Sequence, residues 1–132
     1  MKINVLKLKI ISFYKVFFAP HKQWRRPKKS EVLIYDSAGS DVFTPYLTKF
    51  SFEIIPSRGE SVNVLCLARA VFKLSFWKGR PIQAYVEAFI QLVSPRVIIT
   101  FIDNDVGFYG VSNCFPDIKT IFLQNGARSE LV

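Results

Sequence analysis

Asp36-Ser37, Asp103-Asn104 and Gln124-Asn125-Gly126 each close a short apolar run, so carboxylates, a hydroxyl and amides gather where runs end. Arg58, Gly59 and Glu60 follow another such run. These groups suit a hydroxyl-rich or anionic ligand. Arg58 could meet an anion or a sugar hydroxyl, Gly59 allows a positive φ, and Asp103 could act as general base if a hydroxyl lies within reach. Each also has a plainer reading, because Asp and Asn favour turns and an Arg–Glu pair suits a surface loop. What favours chemistry is that several would converge on one edge of a sheet.

Other chemistries are excluded or weak. The single histidine, His21, rules out sites that need two. SAGSD (37–41) has one glycine and makes neither a dinucleotide fingerprint nor a Walker loop; an anion held at Ser37–Ser40 remains open beside a plain turn. Cys66 and Cys114 have no C-x-x-C spacing, and each falls in an apolar, helical-looking stretch, so both are expected as buried free thiols. No metal site is expected. A receiver module needs an acid pair after the first strand, which Asp36 alone does not supply.

The elements that would position these residues read from periodicity. VLIYD (32–36), FSFEII (50–55), RVIITFID (96–103) and TIFLQNG (120–126) predict four buried strands. Residues 41–49 predict a short helix around Pro45, 62–78 one helix broken by Gly79, and 107–115 another. Pro81 opens the clearest helix: Ile82, Tyr85, Val86, Phe89, Ile90 and Val93 share one face until Ser94-Pro95. Alternating elements with strands apolar throughout predict a Rossmann-like α/β fold, a three-layer parallel sheet in the order 2-1-3-4. Ligands of such sheets bind beyond the strands' carboxyl ends, where the order reverses, which places Asp36, Ser37, Asp103 and Asn104 at a crevice.

Charge divides the 132-residue chain. Residues 1–30 carry nine basic residues and no acid; residues 31–132 are near neutral, at −1. Two regions follow, a basic leader and linker (1–30) and an α/β domain (31–132). The leader's apolar positions have helical spacing. Residues 1–20 would lie as a basic amphipathic helix on an anionic membrane, through Lys2, Lys7, Lys9 and Lys15, or pack as an ordinary helix on the body; Pro20 ends the helix, and residues 21–30 read as a polar linker whose Trp24, Arg25 and Arg26 suit either lipid headgroups or plain solvation. Lys9 and Lys15 interrupt the helix short of a membrane span. A near-neutral body without a recognition element argues against nucleic acid as partner.

Taken together, KSEVLIYDSAGSD (29–41), IIPSRGESVNV (54–64), RVIITFIDND (96–105), FYG (108–110) and IKTIFLQNGAR (118–128) resemble the N-terminal region of bacterial surface carbohydrate biosynthesis proteins, glycosyltransferase-like members of lipopolysaccharide and O-antigen pathways. The resemblance implies the first half of a two-domain GT-B architecture, facing a sugar or lipid-linked acceptor; the expected location is cytoplasmic, with the basic leader able to hold the chain peripherally at the inner face of the cytoplasmic membrane. It implies that the nucleotide-sugar donor is held by a second half, so no cofactor is expected on this one. Asp103-Asn104, Gln124-Asn125-Gly126 and Arg58-Gly59-Glu60 match the family's pattern, without a catalytic role to carry over. Four strands fall short of the five or more usual in such a half, so the resemblance implies a truncated, catalytically incomplete chain. The alternative is a non-catalytic membrane-surface or protein-interaction module.

Overall fold

The computed structural model describes Phe18 and residues 21–37, 39–56, 61–101 and 106–123. In chain order the elements are β1 (His21–Gln23), β2 (Val32–Tyr35), α1 (Ser40–Phe43) with a 3-10 turn at Thr44–Tyr46, β3 (Phe52–Ile55), β4 (Ser61–Asn63), α2 (Val64–Val71), α3 (Leu74–Trp77), α4 (Pro81–Val93), β5 (Val97–Thr100), α5 (Val106–Cys114) and β6 (Lys119–Phe122).

Four strands form one all-parallel sheet in the order β3-β2-β5-β6. A parallel neighbour requires a crossover, and right-handed crossovers that step in opposite directions land on opposite faces. The β2-to-β3 connection steps one way and places α1 and its 3-10 turn over Val32 and Ile34. The two later connections step the other way and place α2, α4 and α5 over Leu33, Tyr35, Ile55 and Ile98. All four residues of β2 are buried, as a strand covered on both faces must be.

α4 runs as its spacing predicts. Pro81 sits in its first turn, where its missing N–H leaves no helical hydrogen bond unmade. Ser94 ends it in the left-handed region (φ 51°), donating its N–H to Ile90 O at 2.7 Å. Ala84, Ala88, Phe89, Ile90 and Val93 form its buried face.

Three expectations change. The single helix over 62–78 is a strand followed by two helices: residues 61–63 pair in parallel with His21–Gln23, and the helical path breaks at Phe72-Lys73. Asn63 explains the first change. Its backbone is extended (ψ 117°) and its side chain accepts from the N–H groups of Leu65 and Cys66, so it ends β4 and caps α2. Secondly, residues 21–30, expected as a polar linker, carry β1 and are tied to the body. Arg25 forms a forked ion pair with Glu53 (2.6 and 3.2 Å), Pro27 and Ser30 are buried, and Ser30 N donates to Val93 O. Thirdly, Cys114 is exposed; only Cys66 is buried. Cys114 is the last residue of α5, beyond the stretch that faces the core, where Phe108 and Val111 are buried.

Candidate functional site

The carboxyl edge of the sheet is built from strand ends. Thr100 Oγ1, fully buried, donates to Tyr35 O at 3.0 Å and locks β5 to β2 at that edge. Asp36 N donates to Ile55 O at 2.9 Å, carrying the ladder one residue past β2. Asp36 then takes a left-handed φ of 85° while only 1% exposed. A non-glycine residue in that region costs on the order of 1–2 kcal/mol, so surrounding contacts must hold it there. Ser37 Oγ lies 3.5 Å from Asp36 Oδ1, and Gly39 reverses the chain with φ 77°. A Cβ on Gly39 would stand 3.2 Å from the Phe101 ring, so glycine serves here through both backbone angle and space.

Beside this edge, between the start of α4 and α5, lies a cavity of about 520 Å³. Tyr35, the last residue of β2, joins Ile82, Val86, Val111 and Phe115 in its apolar wall. The Tyr35 ring is fixed edge-on against Phe108, with centroids 5.4 Å apart. The polar lining is a connected group. Gln83 Nε2 donates to Glu87 Oε1 at 2.9 Å across one helical turn, and Cys114 Sγ lies 3.8 Å from both Gln83 Nε2 and Glu87 Oε1. Lys73 Nζ approaches Glu87 Oε2 at 3.6 Å from outside the lining. Arg80 and Asn113 complete it. An apolar wall with an aromatic ring, a carboxylate, two amides and a guanidinium can take a ligand that has both an apolar face and hydroxyl or anionic groups.

The structure treats the sequence-nominated residues unevenly. Asp36 and Ser37 stand at the carboxyl edge, and neither lines the cavity. Arg58, Gly59, Glu60, Asp103, Asn104, Gln124, Asn125 and Gly126 lie outside the described residues, as do Lys2, Lys7, Lys9 and Lys15. Of the lipid-facing candidates, Trp24 is 77% exposed and Arg26 is exposed. Arg25 is engaged by Glu53, whose hydrogen bond and charge push its pKa up. The cavity residues Arg80, Gln83, Glu87 and Asn113 were not nominated. Gln83 and Glu87 were legible only as the wet side of α4; nothing in sequence announces that Cys114 meets them or that Asn113 lines the same cavity.

Two further groups are strongly perturbed, and both are structural. Burial pushes the Cys66 thiol up to about 12, against the opposing charge of Arg69. Burial likewise pushes the Tyr85 hydroxyl up to about 12; a hydrogen bond from Asn63 N opposes it. Neither group is poised as a nucleophile or base near neutral pH. Among the described residues no buried side-chain polar atom lacks a partner, no cluster of His, Cys, Asp and Glu could hold a metal ion, and no helix is long and apolar enough to cross a membrane.

The chain is α/β with a four-stranded parallel sheet, compatible with a Rossmann-like fold. Comparison with protein-family models, with curated proteins and with solved structures finds no match.

Proposed function

We propose that this chain is the acceptor-side half of a glycosyltransferase-like protein of bacterial surface polysaccharide or lipopolysaccharide assembly, working at the inner face of the cytoplasmic membrane. The observation that carries the reading is the cavity between α4 and α5 in the helical layer over a parallel sheet, reached from the strands by Tyr35, the last residue of β2. Its volume falls in the range of small-molecule sites, roughly 300–1,000 Å³. Its lining suits a sugar: Tyr35 supplies an aromatic surface, and Gln83, Glu87, Asn113 and Arg80 supply hydroxyl partners. The motif resemblance supports the same class.

In this reading Glu87 and Gln83 orient an acceptor hydroxyl and Arg80 meets an anionic group of the acceptor. The nucleotide-sugar donor belongs to a second half, supplied by another domain or chain, and transfer needs both. Holding the acceptor in place is this half's contribution to rate.

Saturation-transfer NMR with a panel of free hexoses, N-acetylhexosamines and heptoses tests the site. At least one sugar should show transfer to the wild-type chain, and Glu87→Gln should weaken it. Sugar transfer that survives Glu87→Gln and Gln83→Ala unchanged would remove the cavity from the proposal. Transferase turnover by this chain alone would overturn the half-enzyme reading.

A further inference from the structure

The break between α2 and α3 turns three large apolar side chains into solvent. Phe72 is 91% exposed, Leu74 68% and Trp77 69%, all within six residues. One such residue on a surface is ordinary; three on one short turn form a patch that asks for a partner.

The turn is held in place. Phe76, buried beneath it, packs edge-on against the Trp77 ring with centroids 5.4 Å apart. Trp77 Nε1 donates to Val71 O at 2.7 Å, so the indole is fixed while its ring faces outward. The backbone is also paired through the break: Phe72 N donates to Arg69 O, Lys73 N to Ala70 O, and Lys78 N to Leu74 O. These N–H groups can therefore leave bulk water without losing their partners.

The surrounding charge indicates the partner. From Ser61 to Val86 the chain holds Arg69, Lys73, Lys78 and Arg80 and no Asp or Glu. Lys73 meets Glu87; among the described residues no salt bridge engages the other three, which are exposed. Exposed aromatic and aliphatic side chains set among unpaired cations complement an anionic lipid surface, whose phosphates meet the cations while its acyl boundary takes the rings.

We propose that the turn joining α2 and α3, together with the short α3 itself, is a membrane-interface anchor, in which Phe72, Leu74 and Trp77 enter the headgroup–acyl boundary of an anionic bilayer while Arg69 and Lys78 meet lipid phosphates. This contact is separate from any made by residues 1–30, and it does not depend on the transferase reading.

The chain has two tryptophans, so the full-length Trp24→Phe variant leaves Trp77 as its sole tryptophan, read by excitation at wavelengths that its five tyrosines do not absorb. On vesicles of phosphatidylcholine mixed with phosphatidylglycerol, Trp77 emission should shift to the blue and be quenched by lipids brominated on the upper acyl chain. Phosphatidylcholine alone, or high salt, should weaken the effect. Phe72→Ser and Leu74→Ser should each lower partitioning roughly tenfold, the scale of returning one such side chain to water, with thermal unfolding unchanged. Failure to sediment with anionic vesicles would overturn the proposal. So would sedimentation with Trp77 unquenched, which would assign lipid binding to other residues. A concentration-dependent dimer that Phe72→Ser dissolves would overturn it too, by making the patch an interface between copies.

Discussion

Leu33 and Tyr35 face one side of the parallel sheet and Val32 and Ile34 face the other, and the described residues cover the two sides very differently. On the first, α2, α4 and α5 bring a continuous core in which Ala84, Ala88, Phe89, Ile90 and Val93 are all at most 2% exposed. On the second, α1 and one 3-10 turn supply Phe43 and Leu47, with Phe52, Ile54, Ile99 and Phe101 left partly buried. The two alanines of α4 let the first side close tightly, because small residues bring helix and sheet near. The second side instead relies on one ring stack, Phe43 on Phe101 at 4.2 Å. Among the described residues, packing is thus concentrated on one face. The strained turn from Asp36 to Gly39 leads into α1 on the thinner face, while the cavity opens among the helices of the thicker one.

Equivalent truncations on the two faces should break or sharpen that contrast. Phe89→Ala should cost about 5 kcal/mol in urea unfolding, while Phe43→Ala, at a site freer to collapse, should cost about 3 kcal/mol. Equal losses would mean the faces are energetically alike. Asn63→Ala comes next, at about 2 kcal/mol, because it removes the α2 cap from beneath the thick face. Gly39→Ala should cost about 1–2 kcal/mol, since the new Cβ meets both a positive φ and the Phe101 ring. A loss as large as that of Phe89→Ala would show that the thin face depends on this turn.

The mildest probe is pH. Cys66 and Tyr85 are neutral when protonated, and burial raises both from their ordinary 9.0 and 10.0 to about 12. Their contribution to stability is complete below pH 9 and drains away as pH climbs through 12, because the unfolded chain releases these protons first. Unfolding midpoints should hold level across neutral pH and fall above pH 9, less steeply in Tyr85→Phe. In native protein a thiol reagent should label Cys114 at once and Cys66 only on unfolding.

The main sheet was legible because its strands are apolar on both faces, a pattern that only a covered parallel sheet explains. α4 was legible because Pro81 and Ser94-Pro95 punctuate a clean helical face. β1 was not, since His21-Lys22-Gln23 shows no alternation, and β1 forms only because β4 lies beside it. The split of residues 62–78 was hidden for a related reason. A stretch apolar all round gives no phase from which to see that Phe72, Leu74 and Trp77 leave the core, and neither Gly nor Pro marks the break. Cys114 was misplaced because a mean over an apolar helix does not report where its end projects. Of the candidate site, the edge formed by Asp36 and Ser37 could be read from strand ends. The meeting of Gln83 and Glu87 with Cys114, and the place of Asn113 in the same cavity, could not, because they depend on how two helices settle against each other.

The hydrogen bond from Thr100 Oγ1 to Tyr35 O joins residues 65 positions apart. It also fixes an order of events during synthesis. At roughly 5–20 residues per second a ribosome needs several seconds to pass from Tyr35 to Thr100. Throughout that interval Val32–Tyr35 lacks its β5 neighbour and most of its helical cover, and remains an unshielded apolar strand. Slow closure of distant parallel partners, rather than weakness of the finished core, is then the step at which this chain would be lost to aggregation or handed to a chaperone.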